Sequence, residues 1–406
     1  MSELRTRDVV ESDLPAVLAI RARSFGPLGT GGDAWWQRVS AETLGGRMLA
    51  VVDDSGTVVG AGRIRPYEQA WGGRHLPMGG VAGVYVEPSA RGRGVATTLT
   101  RALITRMGEL GDVVSCLFPT TPSLYRRSGY EVGGVQTRTT YAGHLLHDLG
   151  TVRAGATGHA AASGVRPARA DDAQRMHDLA RDAAARHGLS GPMLQSVATL
   201  RGTLERDELI GYVVDGGHVL YDLSEEAVTV EELVASTPEA ARTLWGVVGS
   251  GSSAVPTVHT YLDPRDPVAL VVGGLPSTEV RQVPWMGRVI DFAGAFGARG
   301  FSPHVSVEVD LVVSDPEAPT NAGRWSLAVS GGRGSARRTD GPAAGPIAGP
   351  AGTWVLHVEA RGLSALWCGW SVSRLRQVGL ASGGTADADA ALDAVFAGQP
   401  FITEYF

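Results

Sequence analysis

The sequence predicts an α/β protein of consecutive domains, and three observations carry the expectation. Segments of period two alternate with segments of helical spacing through the first ~145 residues. After residue 164 the stretch "GVRPARADDAQRMHDLARDAA" echoes the chain's opening. A basic strand runs into an Asp-capped helix, with Met176 and Leu179 where the first copy has Val17 and Ile20. From about residue 286 the texture changes again, to an α+β unit. The 406 residues, at roughly 150 per domain, leave room for two or three domains, which the composition divides at 1–150, 151–285 and 286–406.

In the first unit "ELRTRDV" reads as a strand. "ESDLPAVLAIRARSF" reads as a helix, with Ser12 or Asp13 at its cap and Pro15 in its first turn. "MLAVVDD", the turn "DSGT" and "VVGAGRIRPYEQA" form a hairpin, and "MGGVAGVYVEP" is a further strand. "GVATTLTRALITRMGEL" sets Val95, Leu99, Leu103 and Met107 on one helical stripe. "DVVSCLF" is a strand, "TPSLYRRSG" a short helix ended by Gly129, and "YEVGGVQTRTTYA" a final strand.

Residues 151–164, small and weakly patterned, read as a linker. The second unit carries the strands "LIGYVVD", "GHVLYDL" and "AVTVEEL". The third opens on "WMGRVIDFAGAF", expected as a helix, and "HVSVEVDLVVSD", expected as a strand. "WSLAVSGGRGSARRTDGPAAGPIAGPAG" runs from a strand into a loop too poor in bulky apolar residues to form a core. "TWVLHVEARGLSALWCGW" returns to order, and "AALDAVFAGQPFITEYF" finishes the chain.

Composition removes several function classes. A formal net charge of −6 argues against a general nucleic-acid binder. Cys116 and Cys368 alone make no disulfide framework. No metal-ligand spacing occurs; His144 and His147 have no second ligand pair nearby and read as an ordinary surface or core pair. The N-terminus lacks an apolar signal core, and no run of about 18 apolar residues could span a bilayer, so a cytoplasmic protein is expected.

One stretch calls for a ligand. In "GVYVEPSARGRGVATTL" a strand stops at a proline, passes through Arg91, Gly92, Arg93 and Gly94, and restarts as a helix at Val95, Ala96 and Thr97. A helix N-terminus has unpartnered N–H groups and partial positive charge, and glycines let an anion approach them. The pattern R-x-x-G-x-A recurs at Arg376–Ala381, where no strand precedes it and no amphipathic helix directly follows. Context therefore favours the first copy.

Together "VAGVYVEPSARGRGVATTLTRAL" and "CLFPTTPSLYRRSGYE" resemble the GNAT superfamily of acetyl-coenzyme A-dependent N-acetyltransferases. The resemblance implies the coenzyme A pyrophosphate at Gly92 to Thr97 and its pantetheine arm against Val84, Tyr85 and Val86. A GNAT half, a degenerate second GNAT-like half and a sterol-carrier-like third domain resemble the Eis (enhanced intracellular survival) family. That implies tandem GNAT-like domains, acetylation of aminoglycoside amines, and a homohexamer. Residues 165–285 contain no R-x-x-G-x-G/A match, so the second half is expected to shape the substrate cavity rather than bind coenzyme A.

Acetyl transfer to an amine needs a base for the ammonium, a donor for the oxyanion and an acid for the thiolate. The Eis pattern puts the general acid at Tyr125, which could otherwise be an aromatic packing beneath the cofactor. It puts a second cofactor contact at Thr120 and Thr121, the oxyanion donor at the Val84 N–H, and the base at the carboxylate of Phe406. Chain ends are usually polar and frayed, yet this one carries Phe401, Ile402, Tyr405 and Phe406, side chains that want burial. Phe25, Trp35 and Trp36, in "SFGPLGTGGDAWWQRV", are candidates to receive an amine through cation–π contact, with core or lid packing the equal alternative. A protein lysine acetyltransferase and a non-catalytic carrier of a hydrophobic ligand are the competing functions; intact "RGRGVA" and Tyr125 speak against the second.

Overall fold

A computed structural model describes residues 4–29, 32–151, 164–206, 208–276, 280–339 and 355–406. Most of the expected linker and most of the Gly/Pro/Ala loop lie outside the described residues. The strands form a 13-stranded mixed sheet and a separate 5-stranded sheet.

The first unit is built on a long antiparallel hairpin, Val58–Trp71 and Arg74–Val86. The helix Val95–Glu109 follows, then the strand Val114–Leu117, which pairs in parallel with Arg74–Val86. The expected apolar stripe is the one that is buried: Val95, Leu99, Leu103 and Met107 are all at most 2% exposed. They pack on Ile64, Val81 and Leu117.

The second unit repeats this plan. The hairpin Gly217–Leu223 and Val228–Ala235 leads into the helix Pro238–Gly249, then a strand, Thr257–Thr260, parallel to Val228–Ala235. The repeat extends to side chains. Arg7 pairs with Asp13, whose carboxylate accepts the Val10 N–H at 2.9 Å; Arg166 pairs with Asp172, whose carboxylate accepts the Arg169 N–H at 2.8 Å. Each second-copy residue stands 159 positions on, 7 to 166 and 13 to 172, the offset that also takes Val17 to Met176. Both helix starts use the same device, an acid that closes the first turn and holds the incoming strand.

The expected helix over "WMGRVIDFAGAF" is corrected. Residues Arg281–Val289 are a strand, and only Phe292–Ala298 is helical. The strand is inserted between Val114–Leu117 and Glu131–Ala142, pairing Met286 with Leu117 and Trp285 with Gly134. Trp285 and Met286 are fully buried, so their apolar run reads as helix or strand until its partners are known.

In the third unit the order across the sheet is Arg333–Arg338, Gly323–Ser330, Val307–Ser314, Leu356–Glu359 and Ala381–Gly383. Its core is continuous with the first unit: Trp71, Leu76, Met78 and Val114 share one cluster with Phe292, Phe296, Leu311 and Trp367. A buried ion pair, in which Arg288 Nη2 donates to both Asp315 oxygens at 2.8 and 2.9 Å, crosses the same junction. From that junction the last residues turn back into the first unit. No described helix is long and apolar enough to cross a membrane.

Candidate active site

The glycine loop has the form an anion requires. Gly92 and Gly94 hold φ of +76° and +89°, backbone that side chains rarely adopt, and a Cβ on either would meet nothing within 4 Å. Thr98 is the first residue to bond back within the helix, to the Gly94 carbonyl at 2.9 Å. The N–H groups of Val95, Ala96 and Thr97 therefore have no partner within the helix. No side chain caps the turn and no acid stands in it. Arg91 and Arg93 are exposed beside it. The rival match at Arg376–Ala381 straddles a helix C-terminus, with Arg376 tied to Asp389, and offers no such donors.

Next to this loop the central strand leaves its neighbour. Arg74–Val86 pairs with Val114–Leu117 only through Gly80 opposite Cys116. Beyond that point Val84, Tyr85 and Val86 continue without a strand on that side. Across the hairpin Ala61 faces Tyr85 and Arg63 faces Ala82, so Gly83 and Val84 oppose Gly62 alone. This is a bulge with Gly83 at φ +62°. An open strand edge next to an anion cradle fits a long ligand with a phosphate at one end and an amide-rich arm, so the residues present suit acetyl-coenzyme A.

Tyr125 lies on the short helix Pro122–Arg127, directly after the end of Val114–Leu117. Thr120 and Thr121 are exposed in the connection. The Tyr125 ring is edge-on to Tyr130, with centroids 6.0 Å apart, and burial pushes its phenol up to about 12. The proton is thus in place at neutral pH.

The end of the chain is brought to the same strands. Phe401 bridges Val135, and its N–H donates to the Ser190 carbonyl at 3.2 Å. Gln136 Nε2 donates to the Thr403 carbonyl at 2.7 Å. Glu404 accepts from Tyr67 Oη at 2.7 Å, Arg65 Nη1 at 3.3 Å and Gln195 Nε2 at 2.8 Å. With those anchors set, the Phe406 ring packs against Tyr67 and Phe118 at 5.4 and 5.6 Å. A Cβ at Gly80 would lie 2.8 Å from Phe406 Cε2, so glycine makes room for the terminal ring. Phe406 therefore sits where the two strands part, and Phe118 links it to the connection that carries Tyr125.

The aromatic candidates divide. Phe25 is 52% exposed and edge-on to Tyr85 at 5.6 Å. Trp36 is buried in a core with Val17, Ile20 and Tyr85. Its neighbour Trp35 lies under the Arg63 guanidinium, 5.0 Å from its carbon.

Sequence reasoning missed Arg63, Arg65, Tyr67, Glu404, Gln195 and Glu231. The first three alternate in "RIRPY" and so share one face of a central strand; two arginines on one face directly after the apolar start "VVGAG" were the available signal. Glu231, on the second unit's strand Val228–Ala235, is pushed up to about 7 by burial and by the nearby Glu404 carboxylate. Among the described residues no cluster of three or more His, Cys, Asp or Glu could hold a metal. Burial pushes the Cys116 thiol up to about 12, leaving it unreactive.

Comparison with known proteins agrees with this architecture. Family models described as acetyltransferase (GNAT) domains match residues 5–133 and 197–289, and a sterol carrier protein domain matches 292–403. A GCN5-related N-acetyltransferase from Kribbella flavida is 39% identical, with 100% of this chain and 99% of that one covered and a TM-score of 0.91. A GCN5-related N-acetyltransferase from Anabaena variabilis (21%, TM-score 0.81) and Eis1 from Mycobacterium abscessus (21%, TM-score 0.73) share the fold, each with both chains fully covered. A comparison with curated proteins finds no match.

Proposed function

Because the chain belongs to the GCN5-related N-acetyltransferases, we propose that it acetylates amines of small molecules of aminoglycoside or polyamine type, as a member of the Eis group. The grouping implies a homohexamer. Acetyl-coenzyme A supplies the activated acetyl group; Gly92 to Thr97 would hold its pyrophosphate, Val84 to Val86 its pantetheine arm, and Thr120 and Thr121 a second contact.

The chain's own groups then divide the work. The Phe406 carboxylate accepts a proton from the acceptor ammonium, the Val84 N–H donates to the developing oxyanion, and the Tyr125 hydroxyl gives its proton to the departing sulfur. An α-carboxylate ordinarily titrates near 3.3–3.7, so it serves as base for an amine already stripped of water, directly or through one bridging water. The observation that most supports this reading is the seating of the Phe406 ring on Gly80, where the strands part.

The test is thiol release from acetyl-coenzyme A across aminoglycosides, small amines and lysine peptides. Turnover with small-molecule amines is expected. Turnover confined to lysine peptides would replace this reading with protein acetylation.

A further inference from the structure

Three arginines are buried among the described residues; each has buried donors without a hydrogen bond, and they differ in whether any oxygen accepts from the guanidinium. Arg288 gives its Nη2 to both Asp315 oxygens, with Nε and Nη1 left without a hydrogen bond. Arg299, caged by Trp71, Trp367 and Phe396, donates to the Trp367 carbonyl at 3.2 Å. Arg63, 5% exposed, has no oxygen partner among the described residues, and its Nε and Nη1 are buried without a hydrogen bond. The Trp35 ring takes the guanidinium face, and Glu42, Tyr67, Tyr85 and Arg65 act on its charge without a hydrogen bond to its Nε or Nη1. A buried cation with unpaired donors burdens the fold unless something completes it.

Its position says what completes it. Arg63 faces Ala82, just before the bulge at Gly83 and Val84. It stands on the same face as Arg65 and Tyr67, which meet the chain end. Arg65 is already engaged, with Glu404 at 3.3 Å and Glu42 at 3.7 Å. Arg65 is paired with Gly80, the seat of the Phe406 ring, and Arg63 lies two residues along the strand, about 7 Å away. A ligand spanning that distance would meet a carboxylate at one end and an unpaired guanidinium at the other.

We propose that the acceptor is an amine that also carries an anionic group, a carboxylate or a phosphate, and that Arg63 holds that group. This rests only on the acetyltransferase reading of the cleft, and it sets a bifunctional amine against the polyamine acceptors named above, a choice that the matched diamine series decides. Arg63 is then a specificity-determining residue, presenting its fork to the anion while the amine end reaches Phe406.

The experiment uses ω-amino carboxylates, ω-aminoalkyl phosphates and α,ω-diamines of matched length. In the full-length enzyme, kcat/KM for the better anionic series should exceed that for the matched diamine by about 10–100-fold, the worth of a hydrogen bond to a charged group. In Arg63→Met that ratio should fall to about one, mainly through KM, while Tyr125→Phe should slow both series alike and keep the ratio. A ratio near one in the unaltered enzyme, or one that Arg63→Met leaves unchanged, would overturn the proposal. Calorimetric titration of the coenzyme A-loaded protein with the same amines repeats the comparison without turnover. If no amine is acetylated, the activity reading fails; the titration still decides Arg63, with equal affinity for the two series counting against it. Arg63→Met should melt no lower than the parent, since it removes a buried unpaired charge.

Discussion

The helices that start at Val95 and Pro238 follow equivalent strands in the two halves of the large sheet, yet their N-termini are opposites. The first begins at a left-handed glycine with no cap and no acid in its first turn. The second begins at Thr237, whose side chain accepts the Ala240 N–H at 3.1 Å, with Pro238 in its first turn and Glu239 adding negative charge. One end is left open for an anion, and the other is closed by its own residues and repels one. The short helices that follow also differ: Pro122–Arg127 contains Tyr125, whereas Val268–Val271 is four apolar residues with no proton to give. One fold thus occurs twice, with one helix start left open and the other closed by its own residues.

The sharpest way to break this contrast is to count cofactors. Equilibrium titration should give one coenzyme A per chain, and Gly94→Asp should abolish it by placing a carboxylate at the anion site. Gly94→Asn tolerates left-handed backbone better than other residues and should weaken binding far less, separating charge from strain. Two equivalents per chain would end the distinction between the halves.

A smaller effect is expected from Tyr125→Phe, which keeps the ring and removes the acid: kcat should fall ~10²–10⁴-fold with acetyl-coenzyme A affinity nearly unchanged. The phenol stays protonated until its raised value of about 12 is approached. The unaltered enzyme should therefore show no alkaline loss of kcat between pH 7 and about 9.5.

Amidating the terminus, with the Phe406 side chain kept, should lower kcat by ~10²-fold, at the low end for a positioned base. An amidated enzyme as fast as the native one between about pH 6 and 9 would show that the base lies elsewhere. Least of all, Thr237→Ala should cost about 1 kcal/mol of stability, the worth of a helix cap, and leave coenzyme A binding and kcat untouched. A variant that gained cofactor binding would mean that the cap alone had closed the second site.

Much of this was legible in the sequence because it is local. The stripe Val95, Leu99, Leu103 and Met107, the glycine loop and the echo of Val17 and Ile20 in Met176 and Leu179 all depend on neighbours a few residues away. The helix expected over Trp285 and Met286 failed because residues 285–289 are buried whichever way they face and so carry no period, and the strands that flank them lie more than 140 positions earlier. The inner face of the cleft was illegible for a related reason. Arg65 meets Glu404 across 339 positions, and Gln195 follows a two-residue strand, Met193–Leu194, that pairs with Val58–Trp71 from more than 120 positions on. Trp35 and Trp36 are adjacent in sequence, and only packing tells which one enters the core.

The strand Arg281–Val289 has a consequence for how the molecule is made. Among the described residues it alone bridges Val114–Leu117 and Glu131–Ala142 in the large sheet, so the first half lacks this strand when its own residues leave the ribosome. At roughly 5–20 residues per second, the gap between Ala142 and Arg281 keeps two strand edges waiting for several seconds. Such edges invite pairing with other chains. A fragment ending near residue 150 should accordingly aggregate rather than bind coenzyme A, despite holding the whole glycine loop. The halves look modular on paper, but they are born together.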